Sequence, residues 1–201
     1  MRTNPAARGL AVLPLVAMLP LLSGSPPESP LAQPEVCVIA PRTEADRDGQ
    51  ALATVPLDHP TIFVREPLAR VRLLRGAIVL WERQAGMGGP IQGPIAWPLP
   101  PLRPEESLRL LLQPAGAGPA DFAEIRLRAA NSTVLGQSRA LLQGLRTNAT
   151  AWQRAVERAL ETGDAALVTA LLFAFEGPSS PDLDALRLEA FAQSCRQAPS
   201  P

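Results

Sequence analysis

Between residues 35 and 130 the chain alternates apolar and polar positions in short runs. In "ARVRLLRG", Ala69, Val71 and Leu73 fall on one side and Arg70 and Arg72 on the other. A period of two marks a strand with one buried and one wet face. "AIVLWERQ" follows Gly76 closely enough to close a hairpin. "AEIRLRAA" alternates as cleanly, with Ile125 and Leu127 inward and Glu124, Arg126 and Arg128 outward. "EVCVIAP" predicts a first strand, and "ALATVPLDHPTIFV" two more, broken by Pro56, Asp58 and Pro60. Within "WPLPPLRPEESLRLLLQP" (97–114), Pro98, Pro100, Pro101 and Pro104 forbid helix and withhold backbone donors. They suit a sheet edge or an extended corner. They deliver the chain to a strand in which Leu108, Leu110 and Leu112 share one face.

From about residue 133 the period lengthens. "STVLGQSRALLQGL" predicts a helix weakened by Gly136. "TAWQRAVERALETG" predicts a better one, with Thr150 and Gln153 as a capping box. Its apolar face holds Trp152, Val156, Ala159 and Leu160, and Gly163 stops it. "DAALVTALLFAFEG", opened by Asp164, is apolar nearly all round and is expected at the centre of a bundle. "SPDLDALRLEAFAQSC" starts with Ser180 as N-cap and Pro181 at the first turn. Its Leu183, Leu186, Leu188 and Phe191 are expected to cover the neighbouring helices. The predicted architecture is α+β: an N-terminal antiparallel β-sandwich over 33–130, then a small C-terminal helical bundle over 131–197. Residues 198–201 form a tail.

The order "PTIFV … ARVRLLRG … VLWER … WPLPPLRPEESLRLLL" resembles an immunoglobulin-like or fibronectin type III-like sandwich over roughly residues 50–130. "PLRPEESLRLLL" is similar to the fibronectin type III corner, with Glu105 where that corner has Gly and Leu108 where it has Tyr. The whole chain resembles uncharacterised bacterial secreted proteins. The resemblance implies a fold and no activity, because sandwiches host many functions.

The N-terminal segment predicts export of this architecture from the cytosol. Arg2 and Arg8 precede an apolar run from Leu10 to Leu22, and small residues follow. That is the order of a secretory signal. Cleavage is expected after Gly24 or Ala32, so 1–32 is assigned to a signal peptide and lead-in. The alternative is an uncleaved anchor in the inner membrane. Ser25 stands where a lipidated Cys would be, so no lipid anchor is expected. The two cysteines, Cys37 and Cys195, sit near opposite ends of the mature chain. In an oxidising compartment they are expected to pair. Such a bridge stabilises by roughly 5 kcal/mol in the chain-entropy picture. The protein is thus expected to be periplasmic or secreted.

The 201 residues carry 19 basic and 19 acidic side chains, and every basic one is Arg. The balance is local as well: residues 33–130 hold eleven of each sign. Nucleic acid is therefore a poor partner. His59, the single histidine, lies in a turn between Asp58 and Pro60. "QAGMGGPIQGP" (84–94) lacks the Lys-Ser/Thr of a phosphate-binding loop. Glu105–Glu106 falls in the corner, and Asp182 with Asp184 in a helix's first turn, where acids suit the dipole. "NST" and "NAT" (131–133, 148–150) match a glycosylation sequon, which matters only in a eukaryotic secretory route. No catalytic set, metal site or cofactor is predicted. Trp81, Trp97 and Arg103 are the candidate binding residues, and 84–104 the candidate ligand-facing loop. The expected function is a non-catalytic extracytoplasmic binding protein for a protein or envelope component. One alternative is a regulatory or assembly subunit that docks a membrane partner through its helical tail. The other is a glycan-active enzyme built on carboxylates.

Overall fold

The alternating segments do form strands, and they assemble differently from the sandwich expected of them. The computed structural model describes residues 36–178 and 180–194. Eight strands come first: β1 (Val38–Ala40), β2 (Glu44–Ala45), β3 (Ala51–Val55), β4 (Phe63–Val64), β5 (Leu68–Arg75), β6 (Ile78–Gln84), β7 (Ser107–Pro114) and β8 (Ala123–Ala129). Four helices follow: α1 (Ser132–Leu145), α2 (Ala149–Glu161), α3 (Ala165–Ala174) and α4 (Pro181–Ser194). The proposed leader (1–32), Cys195 and the 198–201 tail lie outside the described residues.

Six strands make one mixed sheet in the order β2-β3-β8-β7-β5-β6, and β1 pairs with β4 in a separate two-stranded ladder. The prediction of an antiparallel immunoglobulin- or fibronectin III-like sandwich is corrected on two counts. First, β3 runs parallel to β8, with Ala53 against Leu127 and Val55 against Ala129. Second, the layer facing the large sheet is not a second sheet of comparable size. It is the short β1–β4 ladder together with the proline-rich segment, which is held by isolated bridges. The physical reason lies in that segment. Prolines cannot donate to a ladder, so 85–106 meets the rest at isolated bridges in place of a continuous strand. Ile91 and Leu68 exchange backbone hydrogen bonds at 2.7 and 2.9 Å, and Ile95 and Ile62 do the same. Leu102 N donates to Asp58 O at 2.9 Å.

Strand alternation then decides the core. Val71 and Leu73 on β5, Leu108, Leu110 and Leu112 on β7, and Ile125 and Leu127 on β8 are all buried. They pack with Val38, Ile62, Val64, Ile91, Ile95 and Leu102 of the second layer. The 84–104 segment, expected to be a loose ligand-facing loop, is therefore pinned by core isoleucines; Met87 at its tip is the exposed apolar residue. β5 and β6 turn through Gly76–Ala77, with Gly76 at φ +58°. A tight two-residue hairpin with glycine in the first central position has this conformation. A bulge after Leu73 leaves Leu80 without a partner on β5.

The helices start where their capping residues dictate. Asn131 Oδ1 accepts from Val134 N, Asn148 Oδ1 from Ala151 N, and Asp164 Oδ1 from Leu167 N. The α2 cap is thus Asn148 and not Thr150, because helix begins one residue before Thr150. A second apolar cluster forms among the helices, from Leu145, Trp152, Val156, Val168, Leu171, Leu172, Phe175 and Leu183. α3 is its centre, as its uniformly apolar sequence requires. α1 serves both clusters: Leu135 packs against the sheet core and Leu145 against the helical one. Phe63 on β4 meets Phe173 on α3 at 5.1 Å and Phe191 on α4 at 6.1 Å between ring centroids. Two expected covering residues are exposed instead: Leu160, 52% exposed, lines a groove between the helices, and Leu188 is 71% exposed. Leu188 shares the α4 surface with the charged Glu189 and lies off the Leu183–Leu186–Ala190 stripe that meets α2 and α3.

Candidate binding groove between the helices

Trp81 lies on the edge strand β6, opposite Leu73, and its half-buried ring packs against the sheet core. Trp97 lies in the proline-rich segment, where its Nε1 donates to Pro100 O at 3.1 Å. Arg103 is exposed, and its backbone N–H donates to Glu106 Oε2 at 2.9 Å. None of the three lines either of the two cavities described below, and the two indoles do structural work in the sheet layer. Cys37 sits just before β1. Its N–H donates to Glu66 Oε2 at 2.8 Å, and its carbonyl accepts from Arg65 N at 3.0 Å. No free cysteine occurs among the described residues.

The polar face of the large sheet is a set of arginine–carboxylate pairs that neutralise one another. Arg109 holds Glu124 through Nε and Nη2, at 2.7 and 2.5 Å. These bonds keep the Glu124 carboxyl below the usual range against the opposing effect of burial, and they raise Arg109 in return. Glu82 lies between Arg72 at 2.7 Å and Arg70 at 3.6 Å. Arg126 pairs with Asp46, Arg128 with Glu105, and Arg75 with Glu106. Burial pushes Glu106 up, but the Arg103 N–H and the Arg75 guanidinium outweigh it and leave the carboxyl low. Charges satisfied this way offer little to an outside ligand.

Asp58 is a tie point between layers. Its side chain is only 12% exposed. It accepts from Arg139 of α1 at 2.7 and 3.0 Å and sits 3.1 Å from His59 Nδ1. Burial raises its pKa, and the Arg139 and His59 interactions more than reverse that, so it stays below its ordinary value.

Among the described residues two buried guanidinium Nε groups lack a hydrogen-bond partner: Arg70, which has only its longer ion pair with Glu82, and Arg42, in the loop between β1 and β2, which has no ion pair. Leaving a neutral donor buried and unsatisfied costs about 1–3 kcal/mol, and a charged one more. Arg42 lines a groove of about 340 Å³ whose walls are Val156 on α2, Val168 and Leu172 on α3, and Leu186 on α4. Glu189, Gln193, Ser194 and Thr169 supply the other polar groups. All four are engaged: Gln193 Nε2 donates to Glu189 Oε1 at 2.9 Å, Thr169 Oγ1 to Ala165 O at 2.9 Å, and Ser194 Oγ to Ala190 O at 2.7 Å. A shallower groove of about 280 Å³ adjoins through Leu186 and Glu189 and carries Glu157 and Asp182. The first volume lies at the lower end of small-molecule sites. The helices that form it are fixed from behind. Arg187 of α4 donates to Leu172 O at 2.7 Å and Phe175 O at 2.8 Å, satisfying carbonyls at the C-terminal end of α3.

The sequence reasoning missed this groove. Arg42 lies in no periodic segment, and the wall residues were assigned wholly to packing between helices. Among the described residues no group of His, Cys, Asp and Glu is arranged to hold a metal. Comparison with protein-family models, with curated proteins and with solved structures finds no match for the chain.

Proposed function

We propose that the chain is an exported, non-catalytic binding protein of the cell envelope, and that the groove between α2, α3 and α4 holds its ligand. The observation that carries the reading is a concavity between three helices in which Arg42, with its buried Nε unpartnered among the described residues, meets both apolar walls and polar side chains. A concavity that joins apolar walls to a few convergent polar groups supports a ligand site. Export rests on the Arg2/Arg8 and Leu10–Leu22 pattern. The proposed Cys37–Cys195 bridge goes with it. Arg65 bonds to Cys37 through its backbone, and its Nη2 donates to Phe191 O at 3.1 Å, four residues before Cys195 in the sequence.

The test uses N-phenylnaphthylamine, a neutral apolar fluorophore that brightens in dry sites. Native protein is expected to enhance its emission. Ala190→Phe, which fills the groove, is expected to abolish the enhancement while the circular dichroism stays that of the native fold. Enhancement that survives Ala190→Phe, or no enhancement by the native protein, would remove the groove as the binding site.

A further inference from the structure

We infer that the ligand of this groove is a short apolar-tailed carboxylate, a medium-chain fatty acid or a molecule of that chemistry, with its head on Arg42. The inference rests on the groove being a binding site. It goes further by assigning the polarity of what enters. Arg42 is the lining group whose donor lacks a partner, whereas the acidic lining group, Glu189, already accepts from Gln193. A carboxylate matches the planar fork of a guanidinium and can take two of its N–H groups at once. Val156, Leu160, Val168, Leu172 and Leu186 offer hydrocarbon contact in the same lining. They suit an unbranched tail. A volume of about 340 Å³ favours a short tail over a long one. A bulky or doubly charged head fits poorly, because Glu189 lies in the same lining and repels excess negative charge.

The experiment displaces bound N-phenylnaphthylamine from the full mature protein with decanoate, decanol and decyltrimethylammonium, which share a tail and differ in head charge. Decanoate is expected to compete roughly tenfold more strongly than decanol, and the cation least. Arg42→Gln should lower decanoate affinity by about the same factor and leave the dye and decanol unchanged. Arg42→Lys should recover part of the loss. Glu189→Gln should tighten decanoate by removing a like charge from the site. Equal competition by decanoate and decanol would overturn the inference, as would a Glu189→Gln variant that binds decanoate more weakly. If the dye binds in the groove and decanoate does not displace it, only the head-group assignment falls. If the dye never enters the groove, the binding-site reading falls first.

Discussion

Residue 105 offers a sharp test of the corner that carries the chain into β7. Glu105 adopts φ +60°, a left-handed conformation that costs an L-residue about 1–2 kcal/mol. It follows Pro104, and Glu106 N donates to Arg103 O at 3.1 Å. Proline followed by a positive-φ residue is the signature of a type II turn, which favours glycine at the second central position. Replacing Glu105 by Gly removes the strain. It also frees the unfolded chain, at a cost of about 0.4–1 kcal/mol, and deletes the pair with Arg128. Both partners in that pair are at least half exposed, so its loss costs about 0–1 kcal/mol. The wild-type comparison therefore mixes opposing terms of similar size. Comparison with Glu105→Ala cancels the ion-pair term, because alanine loses the same pair, and leaves the strain set against the smaller unfolded-chain term. We expect Glu105→Gly to be more stable than Glu105→Ala by about 1 kcal/mol, or about 2–4 °C in Tm at this chain length. Urea unfolding followed by circular dichroism measures it. An alanine variant equal to or more stable than the glycine variant would refute a left-handed residue 105 and the turn built on it.

Three further outcomes follow from the packing and the charges. Phe63→Ala removes the ring that joins β4 to α3 and α4; it should cost about 2–3 kcal/mol and speed hydrogen exchange in both helices. Arg187→Ala orphans the Leu172 and Phe175 carbonyls and should cost about 2–3 kcal/mol, whereas Leu188→Ala, at an exposed position, should stay within about 0.5 kcal/mol of wild type. Asp58, Glu106 and Glu124 all titrate below their ordinary values of 3.8 and 4.5. Below about pH 4 the unfolded chain therefore binds more protons than the folded one. The stability these groups contribute is complete at higher pH and is lost as the pH falls through their folded values. Urea midpoints from pH 6 to pH 2 should show that fall, and Arg139→Gln should make it shallower by returning Asp58 toward its ordinary titration.

Much of the local structure was legible. The α1 segment read from the pattern spans the same residues as the helix, and Trp152, Val156 and Ala159 do form the buried face of α2. The strand alternation at Val71/Leu73 and Ile125/Leu127 holds residue by residue. What periodicity does not carry is which strand lies beside which. Ala51, Ala53 and Val55 point to the core whether β3 runs parallel or antiparallel to β8, so the parallel pair left no local trace. The same limit hid the groove. Arg42 acquires a role only when the chain brings its short loop against α3 and α4, and α4 has apolar residues on several sides. Leu186 and Leu188 look equivalent in the sequence, yet one lines the groove and the other faces solvent. Trp81 and Trp97 show the converse. Their size invites a binding role, and their surroundings give them work in the sheet layer.

The proposed export and the proposed bridge between Cys37 and Cys195 are read together by the intact mass of protein expressed from the full sequence, alkylated before and after reduction. We expect a chain recovered outside the cytoplasm that begins after Gly24 or Ala32 and takes up alkyl groups at Cys37 and Cys195 only once reduced. A full-length chain in the cytosol, with both cysteines alkylated without reduction, would contradict both.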